Sequence, residues 1–222
     1  RNPLISLLLS DVDYESVVER ARGEDNEGRR RELIKALVVE SLALALDPPD
    51  MLGAQRHRFV WRGSGREVYL VFGNVRDANW LTDDHFRAPA GAWKFVIVVP
   101  FDDEGHSSVE DVERVDRLIA SNLQERTLVW IPRFFSVERM RDVRRLVILN
   151  WLLDGSGDRF AGYADHLSEA DRGIARAILE SQRTTLKHEL ERAIGVAYDA
   201  ASPTRSDDVQ TDAAHDRVIN SL

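Results

Sequence analysis

Asp102, Asp103 and Glu104 stand in a row just after an apolar run at 93–100 in a chain of 222 residues. Carboxylates at the end of an apolar strand are the hard oxygen ligands that magnesium takes. A nucleotide site needs a second part: a glycine-rich turn that opens a helix and carries Lys and Ser or Thr to grip the phosphates. No G-x-x-x-x-G-K-[ST] occurs in the chain, and neither Gly63-Ser64-Gly65 nor Gly155-Ser156-Gly157 is followed by lysine. The three acids are therefore read first as a solvated loop favoured by the dipole of the helix that follows. They stay on as the only catalytic candidates, and no cofactor is expected to bind this stretch of chain.

The other reactive residue types offer less. The six histidines are His57, His85, His106, His166, His188 and His215, and no two have the i, i+4 spacing of a helical metal pair. Asp83, Asp84 and His85 would form a metal site with Asp102, Asp103 and His106 only if the fold joined the two loops, and no metal is expected. Cysteine is absent, which excludes disulfides, thiolate catalysis and cysteine-ligated zinc. No serine sits in a G-x-S-x-G elbow. Helices followed by a hairpin over 13–75 outline a winged helix. Arg29, Arg30 and Arg31 would then touch phosphate, with Arg62 and Arg66 on the wing, so DNA is a possible partner. Three cations at a helix start are mildly unfavourable, which sets that triplet apart. Arg133, after the last strand-like run, would act in trans on a neighbouring subunit's nucleotide if the fold were a degenerate nucleotide-binding one. The five tryptophans lie in apolar contexts and read as core anchors rather than base-stacking platforms.

These residues need elements to position them. Asp13 caps a first helix whose Val17, Val18 and Ala21 share a face. A strong helix is expected over 29–46, with Leu33, Leu37, Val38, Leu42 and Leu44 near 3.6-residue spacing and Asp47-Pro48-Pro49-Asp50 as its stop. Strands at 57–62 and 66–75 flank Gly63-Ser64-Gly65 as a hairpin, with Phe59, Trp61, Val68, Leu70 and Phe72 on one face. An irregular loop covers 76–92. The run at 93–100 is a strand buried on both faces. Ser108 and Asp111 form a capping box for a helix whose apolar side is Val112, Val115, Leu118 and Ile119. A strand at 127–132 completes a parallel β-α-β unit with a right-handed crossover. Ser136 caps a helix striped by Val143, Leu146, Val147, Asn150 and Trp151. Ser168 and Asp171 open a longer one carrying Ile174, Ile178, Leu186, Leu190, Ile194 and Tyr198. Residues 199–215 are polar and expected to be mobile.

The fold class is thus mixed α/β: a helical N-terminal part with a winged-helix-like β-hairpin, a small sheet with a βαβ unit, and a helical C-terminal part. The expected divisions are 1–76, 77–155 and 156–222. Hydrophobic residues make up 43% and charged residues 31%, the ordinary balance of a globular protein, and no apolar run approaches the length of a bilayer span. The formal net charge of −8 argues against a basic DNA-binding surface unless the cations cluster in space. Among 30 basic residues only Lys35, Lys94 and Lys187 are lysine, a bias that GC-rich coding explains most simply. The chain opens Arg-Asn-Pro, with neither Met nor a signal peptide, and is expected to be an excised piece of a longer protein.

Four stretches, FVWRGSGREVYLVFGNVRD (59–77), FRAPAGAWKFVIVVPFDDEGHSSVEDVERV (86–115), TLVWIPRFFS (127–136) and DRFAGYADHLSEADRGIARAILESQRTTLKHELERAIGVAY (158–198), resemble in this order an internal region of the large PglY-type proteins of BREX-like phage-defence systems, which are similar to BrxC. The W-R-G hairpin, F-G-N-V-R and W-K-x-V-I-x-x-P-F-D-D/E are the most specific parts. The resemblance spans roughly residues 57 to 200. It implies a large bacterial cytoplasmic P-loop ATPase that acts with a methyltransferase and other defence proteins, with ATP and magnesium bound N-terminal to this region. It implies no catalytic role for Asp102, Asp103 or Glu104. The function expected is that of a non-catalytic structural, regulatory or partner-docking domain. Its partners would be other domains of the same long chain and other defence-system proteins, away from any membrane. The alternatives are a nucleic-acid-binding module and a degenerate nucleotide-binding domain acting in trans.

Overall fold

The computed structural model describes residues 12–101, 108–120, 126–155 and 158–199. Six α-helices and one four-stranded sheet lie among them, so the fold is mixed α/β as the sequence predicts. In chain order they are α1 (Tyr14–Arg20), α2 (Glu27–Ser41), β1 (Gln55–Trp61), β2 (Ser64–Phe72), β3 (Trp93–Ile97), α3 (Ser108–Ala120), β4 (Thr127–Trp130), α4 (Val137–Leu153), α5 (Asp158–Tyr163) and α6 (Glu169–Asp199). The chain divides into two compact units, one of 1–34 with 136–192 and the other of 35–135 with 193–222.

The first unit is helical. Asp13 caps α1 by accepting the Ser16 N–H at 3.1 Å, and Ser136 caps α4 by accepting the Arg139 N–H at 3.2 Å. Val17, Val18 and Ala21 of the α1 segment meet Ile148, Leu149, Leu152 and Leu153 of α4 in one core with Phe160, Ala175 and Leu179. Ser168 and Asp171 open α6 through a reciprocal pair, Ser168 Oγ to Asp171 Oδ2 at 2.7 Å and Asp171 N–H to Ser168 Oγ at 3.2 Å.

The second unit holds the sheet, in the order β1-β2-β3-β4. β1 and β2 are antiparallel, while β3 runs parallel to both β2 and β4. The β3-α3-β4 unit is thus as expected, and the hairpin belongs to the same sheet. Its turn corrects the expected three-residue Gly63-Ser64-Gly65 loop. Trp61 pairs with Ser64, so the loop is Arg62-Gly63, with φ of 47° and 79°. Two left-handed residues match the strand twist, whereas a longer glycine loop is not needed.

Helix α2 ends at Ser41 rather than 46. The Ala43 N–H bonds the Glu40 carbonyl at 3.1 Å, the Leu44 N–H reaches back to the Val39 carbonyl at 2.9 Å, and Ala43 sits at φ 51°. That is a Schellman ending with alanine where glycine is usual. The freed segment lies along β1 instead: Leu46 bridges His57, and the Asp47 N–H donates to the Arg56 carbonyl at 2.9 Å. At the far end of the chain, the buried Tyr198 donates its hydroxyl to the Val98 carbonyl at 2.6 Å and stands edge-on to Trp130.

Candidate functional site

Polar groups converge where β2 and β3 end. Phe72-Gly73-Asn74-Val75-Arg76 leaves the sheet there, and Gly73 keeps that exit tight. Its N–H donates to the Ile97 carbonyl at 3.2 Å, and a Cβ on it would lie 2.9 Å from Leu81 Cγ. Asn74, 2% exposed, donates Nδ2 to the Phe101 carbonyl at 2.8 Å, pinning the chain just before the acidic run. Asp77 folds the following turn by accepting the N–H groups of Asn79 and Trp80.

Helix α3 reaches this segment with two charged side chains. Asp111 is fully buried, and its Oδ1 accepts the Arg76 N–H at 2.8 Å. Its Oδ2 is buried without a hydrogen-bond partner among the described residues. Burial pushes this carboxyl above the usual aspartate range, against the opposing pull of the Arg76 N–H and charge. Arg114 donates to the Val75 carbonyl at 2.5 Å, the Leu81 carbonyl at 2.8 Å and the Asp83 carboxylate at 3.3 Å, with its guanidinium over the Phe86 ring. The helix therefore buries Asp111, Arg114 and Leu118, with Val115 partly buried, and leaves Val112 exposed at 47%. Of the expected face, Val115 and Leu118 stand and Val112 is corrected, while the side chains of Ile119 and of Ser108, the partner of Asp111 in the expected capping box, lie outside the described ones. The hydrophobic pattern missed Asp111 and Arg114 because it assigns charges to water, whereas these two bond main-chain groups of the segment that leaves β2.

Lys94 is another buried charge that sequence reasoning passed over. It is 3% exposed within β3, level with Tyr69 and Thr127. Burial holds its ammonium below the usual lysine range, partly offset by Asp50 and Asp84. Thr127 spends its hydroxyl on the Phe86 carbonyl at 2.7 Å.

In the helical unit, Ser16, His166, Arg20 and Asp165 resemble a hydrolytic arrangement only at first glance. Ser16 Oγ lies 2.6 Å from His166 Nε2, and Arg20 Nη1 lies 2.6 Å from His166 Nδ1. Arginine only donates, so Nδ1 accepts and the proton of the neutral ring sits on Nε2. Ser16 then accepts from the ring and passes its own proton to the Asp13 carbonyl at 2.7 Å. A base must instead take the serine proton, with a carboxylate behind it; here the polarity is reversed and the network fastens α1 to the turn before α6.

The residues singled out from sequence separate accordingly. Asp102, Asp103, Glu104 and His106 lie outside the described residues, as do 200–222. Arg29 pairs with Glu24, donates to the Glu24 carbonyl at 2.7 Å and lies 3.8 Å from the Trp151 ring, which Arg159 also approaches at 3.8 Å. Arg30 pairs with Asp25 at 2.9 Å and Arg31 with Glu27. Arg62 is exposed in the hairpin turn and Arg66 is half-buried in β2. The triplet and the hairpin arginines belong to different compact units. His85 bonds Thr82 at 2.9 Å, and no group of three metal-ligating side chains occurs among the described residues. Arg133 is exposed, with its main-chain N–H fixed on the Ala197 carbonyl at 3.1 Å. No helix among the described residues is long and apolar enough to cross a membrane.

Chemically, the strand-end cluster holds backbone: each bond made by Asn74, Asp111 and Arg114, apart from the contact with Asp83, ends on a main-chain group. The family model described as the PglY fourth domain matches residues 17–222. No solved structure matches the chain.

Proposed function

Because the chain belongs to the PglY fourth-domain family, we propose that it is a non-catalytic, partner-docking domain of a bacterial, cytoplasmic phage-defence ATPase. The observation that carries this reading is the use made of the strand-end side chains. Ligands of open α/β sheets bind beyond the carboxyl ends of the strands, yet Asn74, Asp111 and Arg114 are engaged there with main-chain groups of their own unit. The sequence supports it from another side, since no lysine-bearing glycine turn exists to hold a triphosphate. ATP and magnesium would belong to another part of the full-length protein.

The test is turnover. The 222-residue chain is expected to release no phosphate from magnesium-ATP above buffer, and calorimetric titration with nucleotide is expected to be flat. Hydrolysis by the chain that disappears in Asp103→Asn or Glu104→Gln would refute the proposal.

A further inference from the structure

The chain carries two methionines, Met51 and Met140, and no cysteine. A peroxide therefore meets thioethers and no thiol, and access decides which thioether it oxidises first. Met140 lies half-buried in α4. Met51 is fully exposed, in the turn that follows Pro48-Pro49 and leads into β1. That turn is built without it. Asp50 accepts the Leu52 and Ala54 N–H groups on Oδ1, both at 2.9 Å, and the Gly53 N–H on its carbonyl at 3.0 Å. The Asp50 N–H donates to the Ala54 carbonyl at 2.8 Å, and Gly53 takes the left-handed φ of 74° that the reversal needs. Ala54 is buried in the core of the sheet unit and ties the turn to it. Methionine oxidation disrupts a protein when it places a polar sulfoxide in an apolar core or interface. At Met51 the polar product enters water, and none of the bonds that hold the turn uses its side chain.

We propose that Met51 is a reversible oxidation site, where a peroxide turns the thioether into the sulfoxide while the fold is kept and Met140 is spared. The sulfur attacks one peroxide oxygen. The S–O bond forms as the O–O bond breaks, sulfur loses two electrons, and hydrogen peroxide leaves as water once the transferred oxygen has passed its proton to the departing hydroxide. A dithiol reductant reverses the step, taking the oxygen as water and ending as a disulfide. The result is a polar tip on a turn whose backbone does not move.

The test treats the whole chain with a small excess of hydrogen peroxide and follows each methionine by peptide mass spectrometry. Met51 is expected to gain oxygen several-fold faster than Met140, and the two rates should converge in urea, where the fold no longer shields Met140. Met51→Leu should remove the fast phase and leave the slow one. The chain oxidised at Met51 alone should keep its urea midpoint, and methionine sulfoxide reductase with a dithiol should restore the original mass. Equal rates in the folded chain, a lowered midpoint after oxidation of Met51 alone, or failure of the reductase to act would overturn the proposal. None of these readouts depends on nucleotide turnover or on a docking partner.

Discussion

At the scale of single residues, the most informative group is the carboxyl of Asp111. One oxygen is bonded to the Arg76 N–H and the other is buried without a partner among the described residues. Burial raises its pKa in the fold above the ordinary value, so the fold favours the neutral acid. The sign follows by linkage: the contribution to stability is fully present below the ordinary carboxylate value and is lost as pH rises through the raised one. Asp111→Asn keeps an oxygen for the Arg76 N–H and removes the charge. It is expected to raise the urea midpoint near pH 7.5, with the gain shrinking towards pH 4. Urea unfolding of both proteins at the two pH values measures it. A gain that does not depend on pH would show that the titration of Asp111 is not its source.

At the scale of elements, what was legible followed from periodicity and local chemistry. The caps at Asp13, Ser136 and Ser168 were readable because each places a side-chain oxygen three residues ahead of the N–H it accepts from. The parallel β3-α3-β4 unit was readable from an apolar strand, an amphipathic helix and a second apolar strand. The end of α2 and the buried face of α3 were not. Residues 42–46 alternate Leu and Ala and favour helix locally, but the edge of β1 draws that segment into strand contact, and only tertiary structure reveals it. The strand-end cluster was hidden for the same reason: Asn74, Asp111 and Arg114 owe their positions to main-chain groups of other elements. The break in α2 has a measurable consequence. Ala43 takes a left-handed conformation that an L-residue adopts at a cost of about 1 kcal/mol and glycine does not. Ala43→Gly should therefore stabilise the chain by up to about 0.5 kcal/mol, after the extra freedom glycine has when unfolded. A higher urea midpoint with an unchanged slope is the expected result, and a lower midpoint would mean that the helix continues past Ser41 in solution.

At the scale of the whole molecule, charge decides between protein and nucleic-acid partners. The net charge is −8, so duplex DNA would be attracted only to a local basic surface. The cluster most visible in the sequence, Arg29 to Arg31, is matched residue by residue with Glu24, Asp25 and Glu27, and Arg29 also stacks on Trp151. An arginine held by a carboxylate of its own fold releases few counterions from DNA, because its charge is already compensated, and counterion release is what drives non-specific binding. Arg62 and Arg66 belong to the other compact unit, Arg62 exposed in the hairpin turn and Arg66 half-buried in β2. A labelled duplex is therefore expected not to shift at about 0.15 M salt, and the triple change of Arg29, Arg30 and Arg31 to alanine is expected to lower thermal stability rather than any affinity for DNA. A retarded band that weakens steeply with salt and vanishes in the triple variant would reinstate the nucleic-acid reading. Failure to bind, together with loss of stability, assigns the triplet to the architecture of the helical unit.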